Sequence, residues 1–256
     1  CFHLAAQVEV GSAAKYPYLT WETNIRGTYT LLEVIRANKK QIKSVVVASS
    51  DKAYGHYPLH KLPYKEDYEL KAEFPYDTSK ACADMITRTY SSKVFKLPIL
   101  TTRFANIYGP GQLNFTAIIP DLIKCCLLNK KFIVRSNGQS IRDFIYVDDI
   151  VDLYKKLSKN LYTNPKKFSG QIFNAGTNIQ HKIKDIIEKI FIYGKKKNEL
   201  KSIFKKMKNK KTTGELSIQY MDYEKINHYL GWHPKYKFTK TLPALFNWYK
   251  KYFRKR

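Results

Sequence analysis

Two rhythms alternate along this chain. Short apolar runs at Phe2 to Ala5, Ser44 to Ala48, Ile99 to Arg103 and Gln171 to Ala175 read as buried strands. Between them, Trp21 to Ala37 carries Ile25, Leu31, Leu32, Val34 and Ile35 at helical spacing, and Tyr76 to Val94 reads as a long helix introduced by Pro75. This alternation predicts an α/β fold built on a doubly wound parallel sheet. After Tyr108 to Gly111 ("YGPG") the texture changes. Helices are predicted over Phe115–Leu128, Asp148–Lys159, Lys182–Ile192, Met221–Leu230 and Thr239–Phe253, with short strands at Lys131–Arg135 and Asp143–Val147. This half reads as a smaller, mixed α/β substrate lobe over 111–256 whose parts return to the sheet begun by 1–110.

At 256 residues the chain is long enough for a large core. It has no apolar stretch of the roughly 18 residues that a membrane span needs. It opens on Cys1 rather than Met, already in a strand-like run, so it is expected to be a fragment or to carry a mis-assigned start. Lysine and arginine total 46 against 21 acidic residues, a net +25. Such a charge suits nucleic acid or an acidic surface, but Lys, Ile, Asn and Tyr are all abundant together, as AT-rich coding would produce. Nine lysines and one glutamate fall within 195–211, which reads as a solvated helix or loop. No zinc spacing or aromatic–basic RNA motif accompanies them, so nucleic acid is a distant alternative partner. Cys1, Cys82, Cys125 and Cys126 lack paired spacing and read as free thiols of a reducing, cytoplasmic compartment. The six histidines form no HExxH-like cluster, and no metal is expected.

Two stretches carry candidate chemistry. In "YDTSK", Tyr76 and Lys80 stand four apart, on one face of a helix. An ammonium beside a phenol favours the phenolate, and such a tyrosine can take a proton from an alcohol. A surface Tyr and Lys at the same spacing is the plain alternative. In "SSDKAYG", Ser50, Asp51 and Lys52 stand together where the strand through Val45–Val47 should end. They are either a solvated turn or parts of one site.

The ordered set "HLAAQ", "ETNIRGTYTLLE", "SSDKAYG", "PYDTSKACAD", "RFANIYGPG", "IRDFIYVDD", "FNAGT" and "LGWHPKY" resembles the extended short-chain dehydrogenase/reductase family, the NAD-dependent nucleotide-sugar epimerases and dehydratases. The resemblance covers essentially the whole chain. It implies that 1–110 is the remainder of an NAD-binding Rossmann domain, whose glycine-rich pyrophosphate turn is missing from this sequence. It implies that Tyr76 is the base for a sugar hydroxyl, that Lys80 holds the nicotinamide ribose, and that Ser50 positions the same sugar oxygen. Ala5, Ala6 and Gln7 would line the dinucleotide, with Asn24 beneath the site. Asn106 and Arg142 would contact the nucleotide diphosphate, a guanidinium suiting phosphate oxygens; an ion pair with Asp143 is the alternative for Arg142. A homodimer through the helices at 21–37 and 76–94 is also implied.

Epimerases of this family usually carry small residues after the hydroxyl residue, whereas 4,6-dehydratases carry an acid and a second catalytic group. Asp51 as acid and Lys52 as base fit the dehydratase pattern, and lysine in place of the usual glutamate resembles the CDP-glucose 4,6-dehydratase branch. A lysine base must be neutral when it acts. The expected function is thus conversion of a nucleotide-diphosphate hexose, CDP-glucose favoured, to a 4-keto-6-deoxy sugar. An epimerase of the same family is the alternative, and a non-catalytic nucleic-acid binder a distant one.

Overall fold

A computed structural model describes residues 1–208, 210 and 216–255. The chain opens with strand β1 (Phe2–His3), helices α1 (Val10–Lys15) and α2 (Pro17–Trp21), a π-helical turn over Glu22–Arg26, and helix α3 (Gly27–Ala37). Strand β2 (Val45–Ala48), helix α4 (Pro75–Ser91) and strands β3 (Ile99–Phe104) and β4 (Asn106–Tyr108) follow. The second half holds α5 (Ile118–Leu127), β5 (Ile141–Arg142), β6 (Phe144–Tyr146), α6 (Val147–Thr163), α7 (Pro165–Phe168), β7 (Ile172–Ala175), β8 (His181–Lys182) and α8 (Ile183–Tyr193). It closes with α9 (Leu200–Lys208), β9 (Ile218–Gln219), α10 (Glu224–Leu230) and α11 (Phe238–Arg254).

The main sheet is parallel in the order β1-β2-β3-β7, with Val46 beside both Phe2 and Leu100 and Thr102 beside Phe173. Its central strands, β2 and β3, are buried on both faces. Val45, Val47 and Ile99 join Leu32 and Ile35 of α3 in one cluster, while Val46 and Leu100 join Ile150, Leu153 and Leu157 of α6 on the other. That division by alternate residues is the pleat of a strand covered on both sides. A separate core, from Leu122, Ile187, Ile203, Leu242 and Tyr249, lies in the second half and takes in Tyr108 of β4. Strand β7 nevertheless comes from that half and completes the parallel sheet.

Several sequence expectations change. The helix expected from Trp21 has a π-helical start, and two short helices precede it. The strand expected at Lys131–Arg135 pairs with no strand among the described residues: Phe132 and Val134 are buried and Ile133 is 72% exposed, so the alternation is that of a strand without a ladder. The lysine-rich run lies partly outside the described residues, at Asn209 and Lys211. The rest of it contains α9, whose Leu200, Ile203 and Met207 enter the second core, so this helix is amphipathic rather than merely solvated. The helix expected from Met221 begins at Glu224, because β9 precedes it. No described helix is long and apolar enough to cross a membrane.

Candidate active site

The carboxyl end of β2 and the first turn of α4 meet at one edge of the sheet, the edge where parallel α/β sheets bind ligands. "SSDKAYG" is neither a strand end nor a loose turn. Asp51–Tyr54 forms a 3-10 turn capped by Ser50, whose Oγ accepts from the Lys52 N–H at 3.3 Å. Gly55 ends it at φ 70°, and a Cβ there would lie 1.8 Å from the Lys71 carbonyl oxygen. Only glycine permits that close return. The turn is thereby pinned, with Asp51 buried and Lys52 half-buried.

Helix α4 starts with Pro75 at its first position, which puts Tyr76 and Asp77 in the positive-ended first turn. Both are buried, at 8% and 2% exposure. Lys80 follows one turn on, 7% exposed, its Nζ donating to the Ala48 carbonyl at 2.7 Å. Asn24, in the π-turn, accepts from Gln7 N–H at 2.7 Å and donates to Gln7 O and to Ser79 Oγ at 2.9 and 2.8 Å. It thus ties the 5–7 loop to α4. Ala5 is exposed, and Ala6 and Gln7 are half-buried along the same edge.

Ser50 joins two of these groups. Its hydroxyl donates to Asp51 Oδ1 at 3.0 Å, and its side chain lies near enough to the Tyr76 phenol to act on it. Burial holds the Asp51 carboxyl above the usual carboxylate range, against the pull of Lys52, Ser50 and Arg142. Burial also pushes the Tyr76 phenol up; Ser50 pulls it down, and the Asp51 and Asp77 carboxylates push it further up. The phenol is therefore raised, not lowered as the Tyr–Lys spacing alone predicts. The Lys80 ammonium turns to a strand carbonyl, while carboxylates face the phenol. Lys80 itself is lowered to about 8 by burial.

Lys52 donates from Nζ to Gln219 Oε1 at 3.2 Å, across to β9. Asn106 donates to the Asp143 carbonyl at 3.1 Å. Arg142, 3% exposed on β5, donates to the carbonyls of Leu216 and Ser217 at 2.6 and 3.4 Å, and its charge reaches Asp51 and Asp77. Asp143 is held by the backbone N–H groups of Thr177, Asn178 and Met221. Ser50, Asp51, Lys52, Tyr76 and Lys80 are thus brought together, with Arg142 within electrostatic reach, while Asn106 lies at the β3–β4 corner.

Two residues of this cluster carried no signal in a single sequence. Asp77 stands inside "YDTSK" as an unremarked neighbour of the tyrosine, and Gln219 arrives from the far end of the chain. Among the described residues, Asp51 Oδ2, Asp77 Oδ1, Gln219 Nε2 and Gln7 Oε1 are all buried without a hydrogen-bond partner. Native proteins satisfy nearly all such groups, so unpaired ones collected at one strand edge mark where a polar ligand belongs. Gln7 Oε1 and the Lys80 ammonium suit the amide and ribose hydroxyls of a nicotinamide nucleotide, so the residues present fit that group.

A parallel Rossmann-type sheet with Tyr76, Lys80 and Ser50 at its carboxyl edge defines an extended short-chain dehydrogenase/reductase of the nucleotide-sugar epimerase/dehydratase type. The chain belongs to the GDP-mannose 4,6 dehydratase family, whose profile matches residues 1–244. It is 28% identical to the CDP-glucose 4,6-dehydratase of Salmonella typhimurium, over 99% of this chain and 71% of that one. It is 33% identical to the dTDP-D-glucose 4,6-dehydratase of Dictyostelium discoideum, over 73% of this chain and 43% of the relative. The crystal structure of Bacillus anthracis dTDP-glucose 4,6-dehydratase in complex with NAD superposes with a TM-score of 0.79 at 27% identity, covering 98% of this chain and 72% of that one.

Proposed function

We propose that this protein is an NAD-dependent nucleotide-sugar 4,6-dehydratase, a lyase that converts a nucleotide-diphosphate hexose, CDP-glucose favoured, to its 4-keto-6-deoxy form. The observation that carries this reading is a buried carboxyl, Asp51, raised by burial and hydrogen-bonded to the Ser50 hydroxyl beside the buried phenol of Tyr76. An epimerase needs the first partner and has no use for the second. NAD, when bound, supplies the hydride acceptor for C4 and the hydride donor for C6.

Tyr76 takes the proton of the 4-hydroxyl, with Ser50 holding the same oxygen. The resulting 4-ketone acidifies the C5 proton, which Lys52 removes. Asp51 gives its proton to the departing 6-hydroxyl, which leaves as water. Each turnover therefore leaves a proton on Tyr76 and takes one from Asp51, which the Ser50 hydroxyl contacts. Lys80, Ala5, Ala6 and Gln7 hold the cofactor, with Asn24 fixing the 5–7 loop. Asn106 and Arg142 serve the diphosphate. The division near residue 110 into a cofactor-binding part and a substrate lobe belongs to the same reading. So does a homodimer through the helices at 21–37 and 76–94, whose Trp21, Val34 and Met85 are exposed. A cytoplasmic setting is supported by four free cysteines.

The test is mass spectrometry of the full-length protein supplied with NAD and, in turn, CDP-, dTDP-, UDP- and GDP-hexoses. Loss of one water from one of them is expected. A sugar isomer of unchanged mass would make the protein an epimerase. Asp51→Asn should stop water loss and spare C4 oxidation.

A further inference from the structure

We infer that Gln219 is a positioning residue of this centre: its side-chain amide oxygen holds the Lys52 amine at the sheet edge, in the place from which Lys52 meets the C5 proton. The inference rests on the dehydratase reading and adds to it a residue and a role.

The contact is direct. Lys52 donates from Nζ to Gln219 Oε1 at 3.2 Å, across 167 positions of sequence. A lysine amine sits on a flexible four-carbon stem and by itself samples many positions. Lys52 is half-buried, whereas Gln219 is 0% exposed, so the rigid partner fixes the mobile one. The Asp51 and Asp77 carboxylates feel the Lys52 charge, yet among the described residues neither forms an ion pair with it. The hydrogen bond goes instead to a neutral amide. That oxygen accepts from an ammonium and from a neutral amine alike, so holding the amine does not depend on its charge.

Both ends of this bond are fastened by one residue. Strand β9 carries Gln219 beside Arg142 of β5, and the Gln219 carbonyl accepts from the Asp143 N–H at 3.1 Å. Tyr64, wholly buried, pairs with the residues that follow. Its N–H donates to the Tyr220 carbonyl and its carbonyl accepts from the Asp222 N–H, each at 3.1 Å. The Tyr64 hydroxyl donates to the Gly55 carbonyl at 2.6 Å, where the 3-10 turn that carries Lys52 ends. The Tyr64 ring also stacks on Tyr54 of that turn, with centroids 4.8 Å apart. The turn, Tyr64 and β9 form a closed frame, and the Lys52–Gln219 bond spans it. A reacting group held in such a frame is already in place when substrate arrives.

The amide is not the choice that stability alone favours. An ammonium only donates, so Oε1 must face Lys52 and Nε2 turns away. Nε2 is buried there without a hydrogen-bond partner. An apolar side chain of similar volume would avoid that penalty. Leucine at this position should therefore fold as well, and what it lacks is the acceptor for Lys52.

The experiment uses the full-length protein with NAD and whichever of the four nucleotide hexoses the wild type dehydrates. If the wild type dehydrates none, the parent reading falls, and this inference with it; each other failure named below leaves the parent reading standing. In Gln219→Leu, and in Gln219→Met as a second variant against misfolding, dehydration and deuterium uptake at C5 in heavy water should fall by about a hundredfold, the cost of a displaced reacting group. KM and the formation of NADH on C4 oxidation should stay within about threefold, as expected when the residue serves a later step. The midpoint of urea unfolding should not fall. Gln219→Glu keeps an oxygen at the same reach but favours the ammonium, so its dehydration should recover above that of the other two variants as the pH is raised. Dehydration kept within about threefold in Gln219→Leu and Gln219→Met would overturn the inference. So would an equal loss of oxidation and dehydration, or a Gln219→Glu variant that stays at the level of Gln219→Leu at every pH.

Discussion

Two buried charge clusters meet α4 two turns apart, at Asp77 and at Asp84, and they are treated in opposite ways. Arg103 and Asp84 are 1% and 0% exposed. Arg103 gives Asp84 two hydrogen bonds, at 2.7 and 2.9 Å, and a third to the Glu66 carbonyl at 3.3 Å, with its guanidinium 4.7 Å from the Tyr54 ring. Arg88 closes the other side of Asp84 at 3.2 Å. At the site edge, Asp51, Asp77 and Gln219 are equally buried, yet each keeps an atom unpaired. Burial alone does not mark function. A satisfied cluster locks the helix to the sheet, and an unsatisfied one reserves its atoms for a ligand.

Substitutions should separate the two clusters by what they cost. Tyr76→Phe should have the largest effect: C4 oxidation, followed by NADH formation, should fall by about a thousandfold, while the unfolding midpoint stays unchanged. Arg103→Met should do the reverse. It strands Asp84 in the interior and should lower stability by about 3–5 kcal/mol in urea unfolding, with the turnover of the remaining folded enzyme close to normal. Turnover lost in step with stability would erase the distinction.

The smallest expected effect has the opposite sign. Asp77 is raised to about 6 in the folded protein, above its ordinary value near 4, so the folded state binds more protons than the unfolded between these values. Its contribution is greatest at low pH and is lost as pH rises through about 6. Asp77→Asn should therefore flatten the fall in stability between about pH 4 and 6 and stabilise the protein at pH 7 by roughly 3 kcal/mol. Urea unfolding across that pH range measures it. A destabilised variant would place Asp77 with the structural cluster instead.

Much of this was legible in the chain. The short apolar runs at Val45–Val47 and Ile99–Arg103, the helical spacing from Tyr76, and the adjacency of Ser50, Asp51 and Lys52 are local facts, and local pattern specifies local structure. The Lys131–Arg135 stretch shows the limit. Its alternation is genuine, but a strand also needs a neighbour, and no described strand pairs with it. The amphipathic role of α9 was masked because nine lysines hide three apolar positions from a reading by composition.

What the sequence determined by itself was the set of parallel-strand elements and the residues clustered at their ends, because both follow from side-chain spacing along one segment. The tertiary structure decided three other things. It turned Lys80 toward the Ala48 carbonyl, so that the phenol of Tyr76 faces carboxylates. It brought Gln219 across 167 positions to Lys52. It also buried Asp77 with an oxygen unpaired. Direction, long-range contact and desolvation each depend on atoms distant in sequence, and a proton's preference among buried groups is set by all of them at once.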